Sequence, residues 1–476
     1  MSQGIFSKMA TEQTSLIFTS AFLAAVVLST GLKLWLSTRQ MRHVGRHRSA
    51  VPSQFQEKIK LSSHQRAADY TLARHQFGLL AIAVEVLVLI SLTLFGGLQW
   101  LYQLTQSWFG ADAITAGLQS ATQAGTAAGL ANVGIWATIG PVLCFVVLVT
   151  TITSLIDLPL DWYRQFVIEE KFGFNRMSVK AWLKDGLTGT LVAAVLGLPL
   201  LGVVVWLMKS AGHTWWLWAW AVWVLFSLSV MIIFPVWIAP LFNKFVPLAE
   251  GPTRTRVEAL LARCGFSSNG LFVMDGSKRS SHGNAYFTGI GKKKRIVFFD
   301  TLLSRLTDDE VEAVLAHELG HFKHKHVFKR LITSFVFSFL GFAFLGWIML
   351  QPWFYQGLGM TPDLHQAQGP ALVLFMLALP VFMFPFHPLG SFFSRKDEFQ
   401  ADRFAAHTSS ADNLVHALVK LYDDNASTLT PDPVYSAFYD SHPPAMVRIQ
   451  KLLDQKLLHP KNTDSTPQDP HAFSHS

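Results

Sequence analysis

Seven long apolar segments constrain this chain more than any other feature of its sequence. A helix needs roughly 20 mainly apolar residues to cross the hydrocarbon core of a bilayer. The segments run over Leu16–Leu36, Gly78–Leu101, Gly134–Leu158, Leu187–Met208, Trp215–Phe234, Leu331–Leu350 and Ala371–Phe386. Only 15% of the 476 residues are charged, against about 25% in an average soluble protein. The sequence therefore predicts a mostly α-helical membrane protein with seven transmembrane helices.

The basic residues give these helices one consistent orientation. After the successive segments, the Lys and Arg residues number eight, none, five, one, fifteen, none and eight. Because cytoplasmic loops are enriched in Lys and Arg, this alternation predicts an N-terminus on the outer side and a C-terminus in the cytoplasm. Membrane topology thus explains the net charge of +8, and we expect no nucleic-acid partner.

Prolines and cysteines refine this prediction. Pro380 and Pro385 lie in the last and shortest apolar segment, which we expect to be kinked. Cys144 lies in an apolar segment and Cys264 in a polar loop, so no disulfide is expected. The first segment is predicted to be a retained helix, since its basic residues follow it and no signal-peptide cleavage site ends it.

The topology divides the chain into five parts. Residues 1–234 hold spans one to five, and residues 235–330 form a cytoplasmic segment. Residues 331–390 hold spans six and seven, and residues 391–460 form a second cytoplasmic segment, predicted to be helical. Residues 461–476 are rich in Pro, Ser, Asp and His and are predicted to be a disordered tail.

The first cytoplasmic segment contains the motif H-E-x-x-H. Thr307 and Glu310 have the spacing of a capping box, which predicts a helix start. Four residues make about one helical turn, so His317 and His321 project from the same face. Two imidazoles in this arrangement can bind one zinc ion, and Glu318 beside them can take a proton from a water molecule. The alternative is a chance match in a histidine-rich helix end.

A third ligand is predicted in the second cytoplasmic segment, within "SRKDEFQADRFAAH". Glu398 and Asp402 lie four residues apart, on one face of a predicted helix. Glu398 suits a third zinc ligand, and Asp402 suits a group that orients a ligating histidine. The alternative is a solvated face paired with Arg395 or Arg403. His324 falls near the ligand face, and we interpret it as a bystander or an outer contact.

These residues, taken together, resemble those of the type I CAAX prenyl protease family of membrane-embedded gluzincin zinc endopeptidases. The resemblance covers nearly the whole chain. The matching stretches are "YRQFVIEEKFGFNRMSVKAWLKD", "FPVWIAPLFNKFVPL", "SHGNAYFTGIGKKKRIVFFDTLL", "VLAHELGHFKHKH", "SRKDEFQADRFA" and "SHPPAMVRI". The resemblance implies seven transmembrane helices around a water-filled chamber, capped on the cytoplasmic side by a zinc-protease domain.

The resemblance also assigns roles to residues. It implies that His317, His321 and Glu398 bind one Zn²⁺ ion, with Glu318 as general base and acid. Asp402 matches the family's aspartate behind the ligands. His442 and Arg448 match the late positions near the active site, where either residue would stabilise the oxyanion. Asn284 matches an asparagine on a substrate-aligning edge strand, and we assign Ala285 and Tyr286 to substrate binding with it.

The residues themselves support an edge strand. "NAYFTG" and "RIVFF" are prone to form strands, and "IGKKK" between them suits a hairpin turn. A free edge near the zinc could bind an extended peptide through main-chain hydrogen bonds; the alternative is a small sheet that only covers the active-site helix. Glu85, within a predicted span, is expected either to line the chamber or to bond a neighbouring helix.

The predicted function is that of a membrane zinc metalloendopeptidase. By resemblance, its substrate is a prenylated or hydrophobic peptide or protein that ends in CAAX and loses its last three residues. One alternative is a quality-control protease of membrane proteins. Another is a transporter or scaffold with a structural zinc, although structural sites commonly have four protein ligands. We expect a monomer in the lipid bilayer, in a bacterial inner membrane or, in a eukaryote, in the endoplasmic reticulum.

Overall fold

The computed structural model of the protein describes residues 2–109, 135–288 and 293–458. Most of this part is helical. The helices are α1 (Ser2–His47), α2 (Leu61–Leu92), α3 (Gly97–Trp108), α4 (Ile135–Tyr163), α5 (Val179–Ser210), α6 (Trp215–Ile233), α7 (Ala239–Phe242), α8 (Pro252–Arg263), α9 (Asp300–Leu303), α10 (Asp308–Lys323), α11 (His326–Ile348), α12 (Pro352–Gln356), α13 (Gln368–Met383), α14 (His387–Thr408), α15 (Ala411–Asp424), α16 (Pro433–Tyr439) and α17 (Ala445–Leu458). π-Helical turns at Arg164–Glu169 and Phe234–Ile238 extend α4 and α6.

Seven helical segments within the described residues are long and apolar enough to cross a membrane. They are Met9–His47, Leu61–Leu92, Ile139–Glu169, Val179–Ser210, Gly212–Phe242, His326–Ile348 and Gln368–Thr408. Each overlaps one predicted segment, so the predicted number of spans is confirmed. Large apolar side chains such as Leu187 and Val195 are exposed on these helices, as a surface that faces lipid requires.

The predicted end of the second span is wrong. The sequence predicts one segment over Gly78–Leu101, but α2 ends at Leu92 and α3 begins at Gly97. Gly96 between them has a φ of +77°, a left-handed conformation that glycine adopts at low cost. The apolar run therefore contains a turn, which hydropathy alone does not register.

The last span continues directly into the predicted zinc-ligand helix. Its helix changes type at Phe384–Phe386, a short 3-10 turn that contains Pro385, while Pro380 lies within α13. Proline lacks the N–H group that α-helical hydrogen bonding requires, which accounts for the change near the predicted kink. Because α14 follows this turn at once, it leaves the apolar segment and carries Glu398 toward the other ligands.

A four-stranded sheet lies beside the zinc motif. Its strands are β1 (Phe245–Pro247), β2 (Ser267–Met274), β3 (Ala285–Thr288) and β4 (Lys293–Phe299), in the order β1-β2-β4-β3. β3 pairs antiparallel with β4, which confirms the predicted pairing, and β3 forms one edge of the sheet. Residue 289, residues 290–292 of the predicted turn and the predicted disordered tail, 461–476, lie outside the described residues.

Two large apolar cores hold these parts together. One core lies among the apolar helices and includes Phe22, Phe145 and Leu374. The other joins α10 to the sheet and to α15 and α17, with Leu315 and Leu319 of α10 buried in it. Helix α10 is therefore fixed on one side by this core, while α14 packs across it.

Candidate metal centre

Helix α10 begins with the predicted capping box. Thr307 Oγ1 accepts a hydrogen bond from the Glu310 amide at 3.4 Å, and Glu310 Oε2 accepts one from the Thr307 amide at 2.8 Å. These bonds satisfy two amides that a helix start leaves without partners. The helix continues to Lys323, so His317 and His321 project one turn apart from one face.

Gly320 allows α10 and α14 to approach closely. A methyl group at this position would lie 2.8 Å from Ala401 Cα and 3.1 Å from the Ala401 carbonyl oxygen. No side chain fits at that distance, so the contact requires glycine. Because Glu398 precedes Ala401 by about one turn of α14, the close approach brings its carboxylate to the two histidines.

Three side chains converge at this contact with the geometry of a metal site. His317 Nε2 lies 3.3 Å from His321 Nε2, and the Glu398 oxygens lie 3.4 Å and 3.3 Å from these two nitrogens. Ligand atoms about 2.0–2.1 Å from a tetrahedral zinc are about 3.3–3.4 Å apart, so the donor set fits that ion. Glu398 Oε2 is buried and accepts no hydrogen bond from the described residues, as expected for an oxygen that binds a cation.

The alternative of a solvated acidic face on α14 is wrong. Glu398 is 2% exposed and Asp402 is 3% exposed. Arg395 donates instead to the carbonyl oxygens of Ser436 and Asp440. Both acids therefore face the protein interior, where a carboxylate needs a cationic partner.

Asp402 lies behind His317, in the position predicted for it. Its Oδ1 atom is 2.9 Å from His317 Nδ1, which leaves Nε2 free to face the metal position. Arg448 donates to both Asp402 oxygens, from Nε at 2.9 Å and from Nη2 at 2.6 Å. Arg448 is itself 6% exposed, so its guanidinium is committed to Asp402 in a bidentate ion pair.

These contacts set the protonation of the site. Burial alone would lower the pKa of His317, but the neighbouring carboxylates of Asp402 and Glu398 outweigh it and raise the pKa to about 9. Burial would also lower the pKa of Arg448, but Asp402 raises it above its usual range. Burial raises the pKa of Glu318, against the opposing charges of the two histidines, which suits a general base.

His326 lies behind His321, and its position was not predicted. Its Nδ1 atom is 3.0 Å from His321 Nδ1, and its Nε2 atom is 3.0 Å from Gln400 Oε1. A left-handed turn at Lys325, with φ of 57°, returns the chain so that His326 starts α11. His324, by contrast, is exposed and stacks on His326 with ring centroids 5.6 Å apart. His324 is therefore a bystander, one of the two interpretations offered for it. Sequence spacing did not single out His326, because it assumed one continuous helix.

A cavity of about 680 Å³, here called the central cavity, lies beside the ligands. Its lining includes Lys33, Tyr70, Arg74, Asn425, Tyr435 and His442. His442 is 61% exposed in its side chain, and its Nε2 atom is 3.4 Å from Glu398 Oε1. Of the two predicted oxyanion residues, His442 thus borders the cavity, whereas Arg448 contacts Asp402.

The three residues assigned to substrate binding lie on or next to the edge strand β3. Asn284 is exposed, and its carbonyl oxygen accepts a hydrogen bond from the Phe299 amide at 3.0 Å. Because paired and unpaired positions alternate in an antiparallel ladder, the main-chain groups of Ala285 and Phe287 point to the open edge. Tyr286 instead lines a separate cavity with Arg295.

Glu85 both bonds a neighbouring helix and borders a cavity. Its carboxylate accepts hydrogen bonds from Lys33 Nζ on α1 at 2.7 Å and 2.9 Å. The same two residues line a second cavity of about 340 Å³ among the apolar helices. The two interpretations offered for Glu85 are therefore compatible.

Comparison with known proteins places the chain in one family. Residues 40–244 match the family model of the CAAX prenyl protease N-terminal part with five membrane helices, and residues 247–456 match peptidase family M48. The chain is 34% identical to a CAAX prenyl protease 1 homolog of Oryza sativa subsp. japonica, over 92% of this chain and 98% of the relative. It is 30% identical to the Homo sapiens CAAX prenyl protease 1 homolog, over 91% of this chain and 96% of the relative.

A solved structure agrees with these relatives. The crystal structure of S. mikatae Ste24p superposes with a TM-score of 0.79 at 30% sequence identity, covering 92% of this chain and 99% of that chain. These matches favour a protease over a transporter or scaffold with a structural metal. The chain therefore belongs to the type I CAAX prenyl protease family, within the M48 membrane metalloproteases.

Proposed function

We propose that this protein is a zinc endopeptidase that removes the last three residues of prenylated CAAX C-termini. The observation that carries the proposal is the cluster of His317, His321 and Glu398, with Glu318 beside it and the central cavity next to it. Three protein ligands leave a coordination position open, as in catalytic rather than structural zinc sites. The relatives named CAAX prenyl protease 1 supply the substrate class.

The chain's own residues account for peptide hydrolysis. Zinc held by the three ligands would supply Lewis acidity and lower the pKa of a water molecule. Glu318 takes a proton from the attacking water, whose oxygen forms the new bond to the scissile carbonyl carbon. The carbon–nitrogen bond then breaks, and Glu318 gives its proton to the leaving amine. Asp402 and Arg448 hold His317 in place throughout.

His442 is the better candidate for oxyanion stabilisation. It borders the central cavity and lies 3.4 Å from Glu398, whereas the Arg448 guanidinium is already bonded to Asp402. An imidazole N–H directed at the developing charge would stabilise the tetrahedral state. Arg448 then acts as a positioning residue.

The substrate assignment is tested by mass spectrometry of cleavage products. A farnesylated CAAX peptide and its unmodified counterpart are incubated with the purified protein, with and without a zinc chelator. We expect release of the C-terminal tripeptide from the farnesylated peptide only, and no release with chelator. Equal cleavage of the unmodified peptide would favour the quality-control function instead.

We further propose that the metal centre faces the cytoplasm, as the distribution of basic loops indicates. Two single-cysteine variants test this, each in a background with Cys144 and Cys264 replaced by serine. Glu250→Cys lies in the metalloprotease part and His365→Cys in the loop between the last two spans; both positions are exposed. In right-side-out vesicles, a membrane-impermeant maleimide should label His365→Cys and spare Glu250→Cys; the reverse pattern would overturn the orientation.

A further inference from the structure

Arg74 projects a positive charge into the central cavity. It lines this cavity from α2, together with His442 beside the metal ligands. Its guanidinium lies over the Tyr70 ring, 5.4 Å from the centroid. Among the described residues, Arg74 forms no ion pair with a carboxylate, whereas Lys33 in the same lining is paired with Glu85 at 2.7 Å.

Glu169, whose carboxyl is close enough to interact with the Arg74 charge, and Asp440 of the same cavity lining have other partners. Glu169 accepts a hydrogen bond from the Tyr70 hydroxyl at 2.6 Å and lies 3.8 Å from His282 Nε2. Asp440 also lines the central cavity, but its carboxyl is bonded to Ser436 and lies near Arg395. A guanidinium that is open to a cavity and has no carboxylate within ion-pair distance among the described residues is suited to bind an anionic group of a ligand.

The edge strand directs a bound peptide toward this charge. Asn425, which lines the central cavity, contacts the residues just before β3: its Oδ1 accepts from the Gly283 amide at 3.3 Å and lies 3.1 Å from His282 Nδ1. A peptide that pairs antiparallel with β3 runs with its C-terminal residues toward Asn284, and so toward this cavity. Three extended residues reach about 10 Å, and a volume of about 680 Å³ is ample for a small ligand.

We propose that Arg74 binds the terminal carboxylate of the peptide, three residues beyond the cleaved bond, and thereby fixes where the chain is cut. This inference rests on the proposed function, because it takes the released tripeptide as the occupant of the central cavity. Arg74 is then a specificity-determining residue. By binding the terminal carboxylate, Arg74 sets how many residues lie between the C-terminus and the metal centre.

The test compares two farnesylated peptides of one sequence, ending in a free carboxylate or in an amide. Each is assayed for kcat/KM with the wild-type protein, Arg74→Gln and Arg74→Lys in nanodiscs of neutral lipid. Arg46→Gln is the matched control, because Arg46 is an exposed cation at the end of α1 and outside the cavity lining. We expect the wild-type protein and Arg46→Gln to prefer the carboxylate peptide at least about tenfold, as loss of one charge-assisted bond implies.

Arg74→Gln should lose this preference by cleaving the carboxylate peptide more slowly while leaving the amide peptide unchanged, and Arg74→Lys should recover part of it. Equal cleavage of both peptides by the wild-type protein would overturn the role of Arg74 and leave the proposed function standing. An equal loss on both peptides in Arg74→Gln would also overturn it. If the assay is then repeated in nanodiscs with anionic lipid and the loss depends on that lipid, Arg74 is assigned to a lipid headgroup instead. Failure of the wild-type protein to cleave either peptide would remove the proposed function itself.

Discussion

His317 and His321 differ in what holds their second ring nitrogen. His317 Nδ1 faces the buried carboxylate of Asp402, whereas His321 Nδ1 faces the imidazole of His326. An ionised carboxylate can only accept a hydrogen bond. The Nδ1 atom of His326 can accept one only in the tautomer in which that nitrogen carries no proton. The two ligands are therefore oriented by contacts of different strength.

Glu318 should be required for turnover but not for metal binding. We expect Glu318→Ala to abolish hydrolysis, since proton transfer by such a group contributes about 10²–10⁴-fold in rate, while zinc content stays at one per chain. His317→Ala should lose both turnover and bound zinc, because it removes a proposed zinc ligand. Elemental analysis alongside the peptide assay distinguishes the two; wild-type turnover in Glu318→Ala would contradict the mechanism.

Zinc affinity should rise with pH. The pKa of His317 in the metal-free protein is raised to about 9, so this ring carries a proton at neutral pH. Zinc requires the neutral ring, and binding must therefore release that proton. Affinity should increase about tenfold per pH unit below pH 9 and then level off. Calorimetry in buffers of different ionisation enthalpy measures the number of protons released on zinc binding. A zinc affinity that does not change between pH 6 and pH 8 would refute this prediction.

His326 should matter for metal binding and His324 should not. His326 is 1% exposed and contacts His321, whereas His324 is exposed. Removing a group that orients a ligand typically costs 10–100-fold in metal affinity. We expect that loss for His326→Ala in a zinc competition assay and almost none for His324→Ala. Similar effects of both substitutions would show that the contact is not specific.

At the scale of elements, local sequence patterns predicted much of the site. The capping box fixed the start of α10, and two strand-prone stretches joined by a turn-like stretch indicated the β3–β4 hairpin. Such patterns report on neighbours in the chain, so they succeed within one helix or hairpin. They did not register the turn at Gly96, because the residues on both sides of it are equally apolar.

The close contact between α10 and α14 should depend on Gly320. A methyl group there would force the helices apart, since it meets backbone atoms of Ala401. We expect Gly320→Ala to destabilise the protein by about 1–3 kcal/mol and to weaken zinc binding. Gly341→Ala is the control, because nothing lies within 4 Å of an added methyl group. Thermal unfolding with and without zinc measures both effects; equal behaviour of the two variants would contradict this.

At the scale of the whole molecule, an ion pair between Arg279 and Asp185 helps to join the membrane helices to the metalloprotease part. Arg279, just before β3, donates to both oxygens of Asp185 on α5 at 2.7 Å and 3.0 Å. Its third contact is Asn243 Oδ1 at 3.0 Å. These bonds tie the segment that leads into the edge strand to a transmembrane helix.

Loss of this ion pair should loosen the junction. We expect Arg279→Met to lower the free energy of unfolding by about 1–3 kcal/mol, since charge-assisted hydrogen bonds are lost from a partly buried site, with zinc content unchanged. Lys278→Met is the control, because Lys278 is 60% exposed and bonded only to Asp275 among the described residues. Denaturant unfolding in detergent compares them; an unchanged midpoint in Arg279→Met would show that the junction is held by other contacts.

The sequence by itself determined the number of membrane helices and identified the three residues that meet in the candidate metal centre. Both follow from short-range rules: the length of apolar runs, and the one-turn spacing of His317 and His321 and of Glu398 and Asp402. Only the tertiary structure decided that His326 rather than His324 supports His321, that Arg448 is bonded to Asp402, and that Arg74 faces the central cavity. These contacts join residues on different helices, and their geometry depends on packing that periodicity along the chain does not encode.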